Sequence, residues 1–138
     1  MPADAPYPSA EKMIGFFNLP LAADTKIFGG TLVAVNASGE ALPAADTTGL
    51  KVLGRAEATV DNTGGSAGDK RISVKRGIFR VENSASNAVT AAHVGLQVDI
   101  EDDTIVSLAG AGNGVAAGIC ISVDGDHVIV DTMLAPAL

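Results

Sequence analysis

The sequence predicts an all-β fold, and three features carry that prediction. Sixteen of the 138 residues are glycine. The apolar share is 47% but aromatics supply only 4%, so the core must be built from Val, Ile, Leu and Ala. Short apolar runs alternate with polar residues between turn-forming clusters, as half-buried strands do, and no long stretch has helical periodicity. At most one or two short helices are expected, in a single domain of ordinary size.

Residues 1–25 read as an extended N-terminal arm, and residues 26–138 as the β domain. Pro2, Pro6, Pro8 and Pro20 punctuate the arm. Proline cannot donate to a strand ladder, which argues for an arm outside the sheet. The arm carries an apolar cluster, Met13, Ile14, Phe16, Phe17 and Leu19. These are candidate intermolecular contacts with a neighbouring subunit, the alternative being that they fold back on the domain's own core.

Strand signals begin at Lys26. Residues 31–35 form a strand and Asn36-Ala37-Ser38-Gly39 its turn. Residues 52–60 form a second strand region, interrupted at Gly54, and residues 61–69 a flexible polar loop. Residues 71–75 alternate charge with apolar side chains, and residues 77–81 continue that strand. Thr90 is a suitable N-cap and Gly95 a suitable C′ residue for one helical turn. Residues 96–100 and 104–108 are strands. Asp124-Gly125, between Ile119, Ile121 and Val123 and the returning residues 127–130, predicts a hairpin with a type I′ turn.

Composition excludes several function classes. A formal charge of −7 argues against nucleic acid as a partner, because phosphate binding needs a basic face. All nine Lys and Arg lie at or before Arg80, and eight acids follow it with no base. Such asymmetry solubilises a surface, or lets a basic half dock while an acidic half faces outward. The single cysteine, Cys120, permits no internal disulfide and no Cys-based zinc site. The N-terminus lacks the pattern of a signal peptide, and no run is apolar enough for a membrane helix. The expectation is a chain made in the cytoplasm that stays soluble.

No motif assembles into a chemical site. Gly64-Gly65-Ser66-Ala67-Gly68-Asp69-Lys70 places an Asp where a phosphate loop needs Gly, and Arg71 where it needs Ser or Thr. Gly110-Ala111-Gly112-Asn113-Gly114 lacks the dinucleotide spacing. Glu101-Asp102-Asp103 and Asp124-Gly125-Asp126 lack calcium-loop spacing. Asp46-Thr47-Thr48-Gly49 falls one residue short of an aspartic-protease signature. His93 and His127 are too few for metal or triad chemistry. No catalytic residue, metal or cofactor is therefore expected, and the chain reads as a non-enzyme.

The order of motifs resembles one known family. Val52-Leu53-Gly54-Arg55-Ala56 leads to Val74-Lys75-Arg76-Gly77-Ile78-Phe79-Arg80-Val81-Glu82. A turn ending in Val94-Gly95 then runs into Leu96-Gln97-Val98-Asp99-Ile100-Glu101-Asp102, and the closing strand is Val128-Ile129-Val130. Over residues 26–131 this resembles the capsid cement (head decoration) proteins of tailed bacteriophages. The resemblance implies a small β-barrel or β-tulip-like module on the outer surface of the virion capsid, bound to the major capsid protein. It also implies a homo-oligomer, a trimer in the favoured case, that bridges neighbouring capsomers, with no membrane or nucleic-acid partner. Two alternatives are another all-β virion module, such as a tail or receptor-binding component, and a small-barrel enzyme. The enzyme would need a pocket pairing His93 or His127 with a carboxylate.

Overall fold

Leu32, Val33 and Ala34 are three consecutive residues with almost no exposed surface. A strand sends successive side chains to opposite faces, so this one must be covered on both. The computed structural model, which describes Ala5 and residues 16–132, has this strand between two bodies. Its strands are β1 (Phe16–Pro20), β2 (Lys26–Ile27), β3 (Leu32–Val35), β4 (Ala41–Pro43), β5 (Lys51–Ala56), β6 (Val60–Asp61), β7 (Arg71–Lys75), β8 (Ile78–Asn83), β9 (Gln97–Asp102), β10 (Ile105–Leu108), β11 (Ala116–Asp124) and β12 (His127–Asp131). The only helical segment among the described residues is a single 3₁₀ turn, Ala91–His93. The all-β expectation therefore holds.

One body is an open five-stranded sheet in the order β1-β7-β5-β3-β4, and the other is a closed five-stranded barrel, β10-β8-β12-β11-β9. The short pair β2-β6 accompanies the sheet. Leu32 and Ala34 belong to the barrel's core with Val81, Val98, Ile100, Val106, Val128 and Val130. Val33 faces the other way, into a second core with Leu21, Ile27, Ala41, Ile72 and Val74. Alternation in β7 and β8 puts Ile72, Val74, Phe79 and Val81 inside and Arg71, Lys75 and Arg80 outside. Burying one such aliphatic side chain contributes about 1.5–3 kcal/mol.

The structure corrects several expectations. Residues 16–20 are not outside the sheet: β1 pairs antiparallel with β7 along its whole length, from Phe16 opposite Lys75 to Pro20 opposite Arg71. Proline is tolerated because β1 is an edge strand, and Pro43 ends the opposite edge strand in the same way. Residues 77–81 do not continue β7. The chain leaves the sheet after Lys75 and enters the barrel at Ile78. The loop expected to be flexible is tied down around the buried Asn62, whose amide donates to the carbonyls of Ala22 (3.0 Å) and Ser66 (3.1 Å). The hairpin turn lies one residue further on. Asp124 pairs with His127, so Gly125 and Asp126 form the loop. Gly125 has φ 54° while Asp126 is not left-handed, the signs of a type II′ turn and not type I′.

Gly54 does not interrupt β5. It lets β7 approach: a Cβ there would overlap the carbonyl oxygen of Lys75. Leu53 beside it is the extra residue of a bulge, because Gly54 pairs with Val33 and Val52 with Ala34. Gly54→Ala should lower the unfolding free energy by about 1–3 kcal/mol, measured by denaturant titration. A loss below about 0.5 kcal/mol, the range of ordinary surface changes, would contradict this packing.

Candidate interaction surfaces

All four phenylalanines sit beneath a cation. Lys75 lies 5.8 Å from the ring centre of Phe16, Arg76 5.7 Å from Phe17, Lys26 4.8 Å from Phe28 and Arg55 4.4 Å from Phe79. Pairing register explains part of this. Phe16 is opposite Lys75 and Lys75 is opposite Arg55, so these three side chains share one face of the sheet. Each exposed pair contributes about 0.5–1 kcal/mol. Phe16 and Phe28 remain 43% and 55% exposed. Of the expected contact residues, Phe17 and Leu19 pack partly against the domain's own second core, Phe16 stays at the surface, and Met13 and Ile14 lie outside the described residues.

The barrel presents a different surface. Ile78, Val94, Leu96 and Ile121 are large, apolar and exposed. Three of them are neighbours, because the Gly95 N–H donates to the Cys120 carbonyl (2.8 Å) and the Cys120 N–H to the Leu96 carbonyl (2.9 Å). Ile121 is the extra residue of a bulge between Cys120 and Ser122, and it is exposed while Cys120 is buried. Past Arg80 this half has acids and no Lys or Arg.

Between the two bodies runs a groove with a cavity of about 780 Å³. Residues 50–53 form one wall and residues 113–116 the other, with Phe17 and Arg76 at the sheet side and Gln97 and Thr132 at the barrel side. Asp46 fastens one loop to the other. Its carboxylate accepts from the Asn113 N–H (2.9 Å), and its carbonyl accepts from the Asn113 side chain (2.8 Å). Asp46, which opens the near-match to an aspartic-protease signature, is thus a structural tie. Sequence reasoning missed the groove, and no local signal marks it, since its walls lie some 60 residues apart in the chain.

Comparison with protein-family models, with curated proteins and with solved structures finds no match to the chain.

Several titratable groups have structural partners. His93 accepts from the Thr90 N–H through Nδ1 (3.0 Å), which secures the 3₁₀ turn. His127 Nδ1 lies 3.0 Å from the Arg80 guanidinium, which can only donate. His127 is opposite Glu82 in register, and the two share a shallow depression of about 250 Å³ with Arg80 and Thr104. That volume is below the usual range of ligand clefts, about 300–1,000 Å³. The buried Asp99 is satisfied by the Gln97 side chain (2.9 Å) and the Gly110 N–H (2.8 Å). Burial pushes the Cys120 thiol up, which keeps it protonated and unreactive. Hydrogen bonds from Thr63, first its hydroxyl and then its N–H, hold the Asp61 carboxyl below its usual range. No three His, Cys, Asp or Glu converge as a metal site among the described residues.

Asp103 sits where the sheet meets the barrel, its carbonyl accepting from the Leu32 N–H (2.8 Å). Burial raises its carboxyl above the usual range, and the charge of Asp102 adds to the effect. A raised carboxyl is protonated more readily in the folded than in the unfolded chain, so ionisation costs stability as pH rises through the carboxylate range. Asp103→Asn should therefore raise the melting temperature at about pH 7 and leave it unchanged at about pH 3. A fall at neutral pH would show that the carboxylate stabilises the turn.

Proposed function

We propose that this chain is a capsid cement protein of a tailed phage: a structural module that binds the outer surface of the shell and bridges neighbouring capsomers. The observation that carries the reading is the sorting of exposed apolar residues. Phe16 and Phe28 lie under lysines on the sheet body, while Ile78, Val94, Leu96 and Ile121 lie on the barrel, where Arg80 is the last Lys or Arg of the chain and eight acids follow it. A module so small with exposed apolar side chains in two settings of different charge suits docking between partners. The homo-oligomer, a trimer in the favoured form, is part of the same proposal: two unlike surfaces suit head-to-tail association, which forms a ring where the rotation between subunits closes. The segment ahead of β1, with Met13 and Ile14, is proposed as an additional contact with a neighbouring chain.

A cement protein needs no chemistry. Packed DNA pulls capsomers apart, and a clip that adds interface at every junction resists it. Specific interfaces bury about 1,200–2,000 Å², and repetition across a shell multiplies modest affinity.

One observation favours a second reading, a small-barrel enzyme: His127 and Glu82 share a depression with Thr104 and Arg80. Loss of a purified hydrolytic activity on replacing His127 or Glu82 would establish it.

Cosedimentation with expanded, empty phage heads tests the cement reading. The purified protein should pellet saturably with heads and not with tails. Deleting residues 1–15 spares β1, so it should leave melting within a few degrees and weaken the cosedimentation. Absence of head binding at any concentration, or binding confined to tails, would overturn the reading.

A further inference from the structure

β5 and β7 are neighbours at one end only. Their pairs are Arg55 with Lys75 and Ala56 with Val74, yet β5 begins at Lys51. Among the described residues, Lys51, Val52 and Leu53 therefore have β3 on one side and no strand on the other. The groove lies along that open side. Residues 50–53 line it without a break. Within β5, Lys51 and Val52 point to opposite faces and both line the cavity, so the cavity reaches the strand's edge. The opposite wall is the loop that leads into β11. Asn113, Gly114 and Val115 precede the strand, and Ala116 is its first residue. The open edge of β5 thus faces a cavity whose volume of about 780 Å³ is that of a binding cleft.

The walls also specify what fits. Phe17, Leu50, Val52, Leu53 and Val115 make them largely apolar. Among the described residues, Lys51 and Arg76 are the charged members of the lining, and no Asp or Glu belongs to it. In a chain with 16 acids and nine bases, that exclusion marks the groove as a place where a carboxylate is welcome.

We propose that this groove takes one extended strand of a partner protein, apolar at alternate residues and carrying a carboxylate that meets Lys51. The main chain of the guest adds to the free edge of β5, as in strand-addition complexes, and the apolar walls receive alternate side chains. The inference rests on the groove alone and does not require the partner to be a capsid.

The test uses the full chain, labelled with nitrogen-15, and two blocked pentapeptides, acetyl-Val-Glu-Val-Thr-Val-amide and its counterpart with Lys in place of Glu. The Glu peptide should shift the amide resonances of Lys51, Val52 and Leu53 and slow their hydrogen exchange. The Lys peptide should bind less well. Lys51 is exposed, so Lys51→Glu should fold normally, weaken the Glu peptide about three- to fivefold and favour the Lys peptide instead. No shift at these amides with either peptide at low millimolar concentration would overturn the proposal. So would equal binding of both peptides that Lys51→Glu leaves unchanged. Binding that appears only once residues 133–138 are deleted would also overturn it, by assigning the groove to the chain's own end. Cosedimentation with heads reads a different property, so failure of either experiment leaves the other interpretable.

Discussion

The burial of β3 on both faces is the constraint on which the rest depends. Leu32 and Ala34 complete the barrel's core, and Val33 completes the core of the sheet. A chain with so few aromatics has no large side chain with which to fill a wide interior. Two thin cores that share one wall bury Val, Ile, Leu and Ala more fully than one broad core would. The shared wall also fixes the relation between the bodies. The Leu32 N–H reaches the Asp103 carbonyl, Arg55 stacks on Phe79, and Asp46 holds Asn113.

The surface follows from that arrangement. The sheet body holds most of the early part of the chain, where the bases are, and the barrel begins at Ile78, close to the last base. Charge segregation along the sequence thereby becomes segregation in space. The phenylalanines are covered by the same lysines and arginines. Their rings are large enough to anchor an interface, and the cations over them limit indiscriminate contact while free in water. The groove opens where the two bodies diverge, because β7 stops pairing with β5 after two residues.

Much of the fold was legible in local patterns. Charge alternating with Ile72 and Val74 identifies β7, and Val128 and Val130 identify β12. Thr90 and Gly95 bracket the helical turn as their chemistry suggests. Other elements were hidden for physical reasons. β1 carries a proline that an edge strand tolerates and a central strand would not. β2, β4 and β6 are two or three residues long, too short to display a period. The break between Lys75 and Ile78 is a change of sheet, and its local signal is small: the inward positions shift by one residue across Arg76-Gly77, from Ile72 and Val74 to Phe79 and Val81. The surfaces were less legible than the fold. Ile78 could be placed outside from the inward position of Phe79, but the pairing of Phe16 with Lys75 and the meeting of residues 50–53 with 113–116 arise only from tertiary contact.

Surfaces and groove alike presuppose that sheet and barrel form one cooperative unit through β3. Scanning calorimetry tests this most directly. The account predicts a single transition whose calorimetric and van't Hoff enthalpies agree, and that remains single, at lower temperature, when Val33→Ala thins only the sheet's core. Two separated transitions, with the barrel surviving the melting of the sheet, would contradict it.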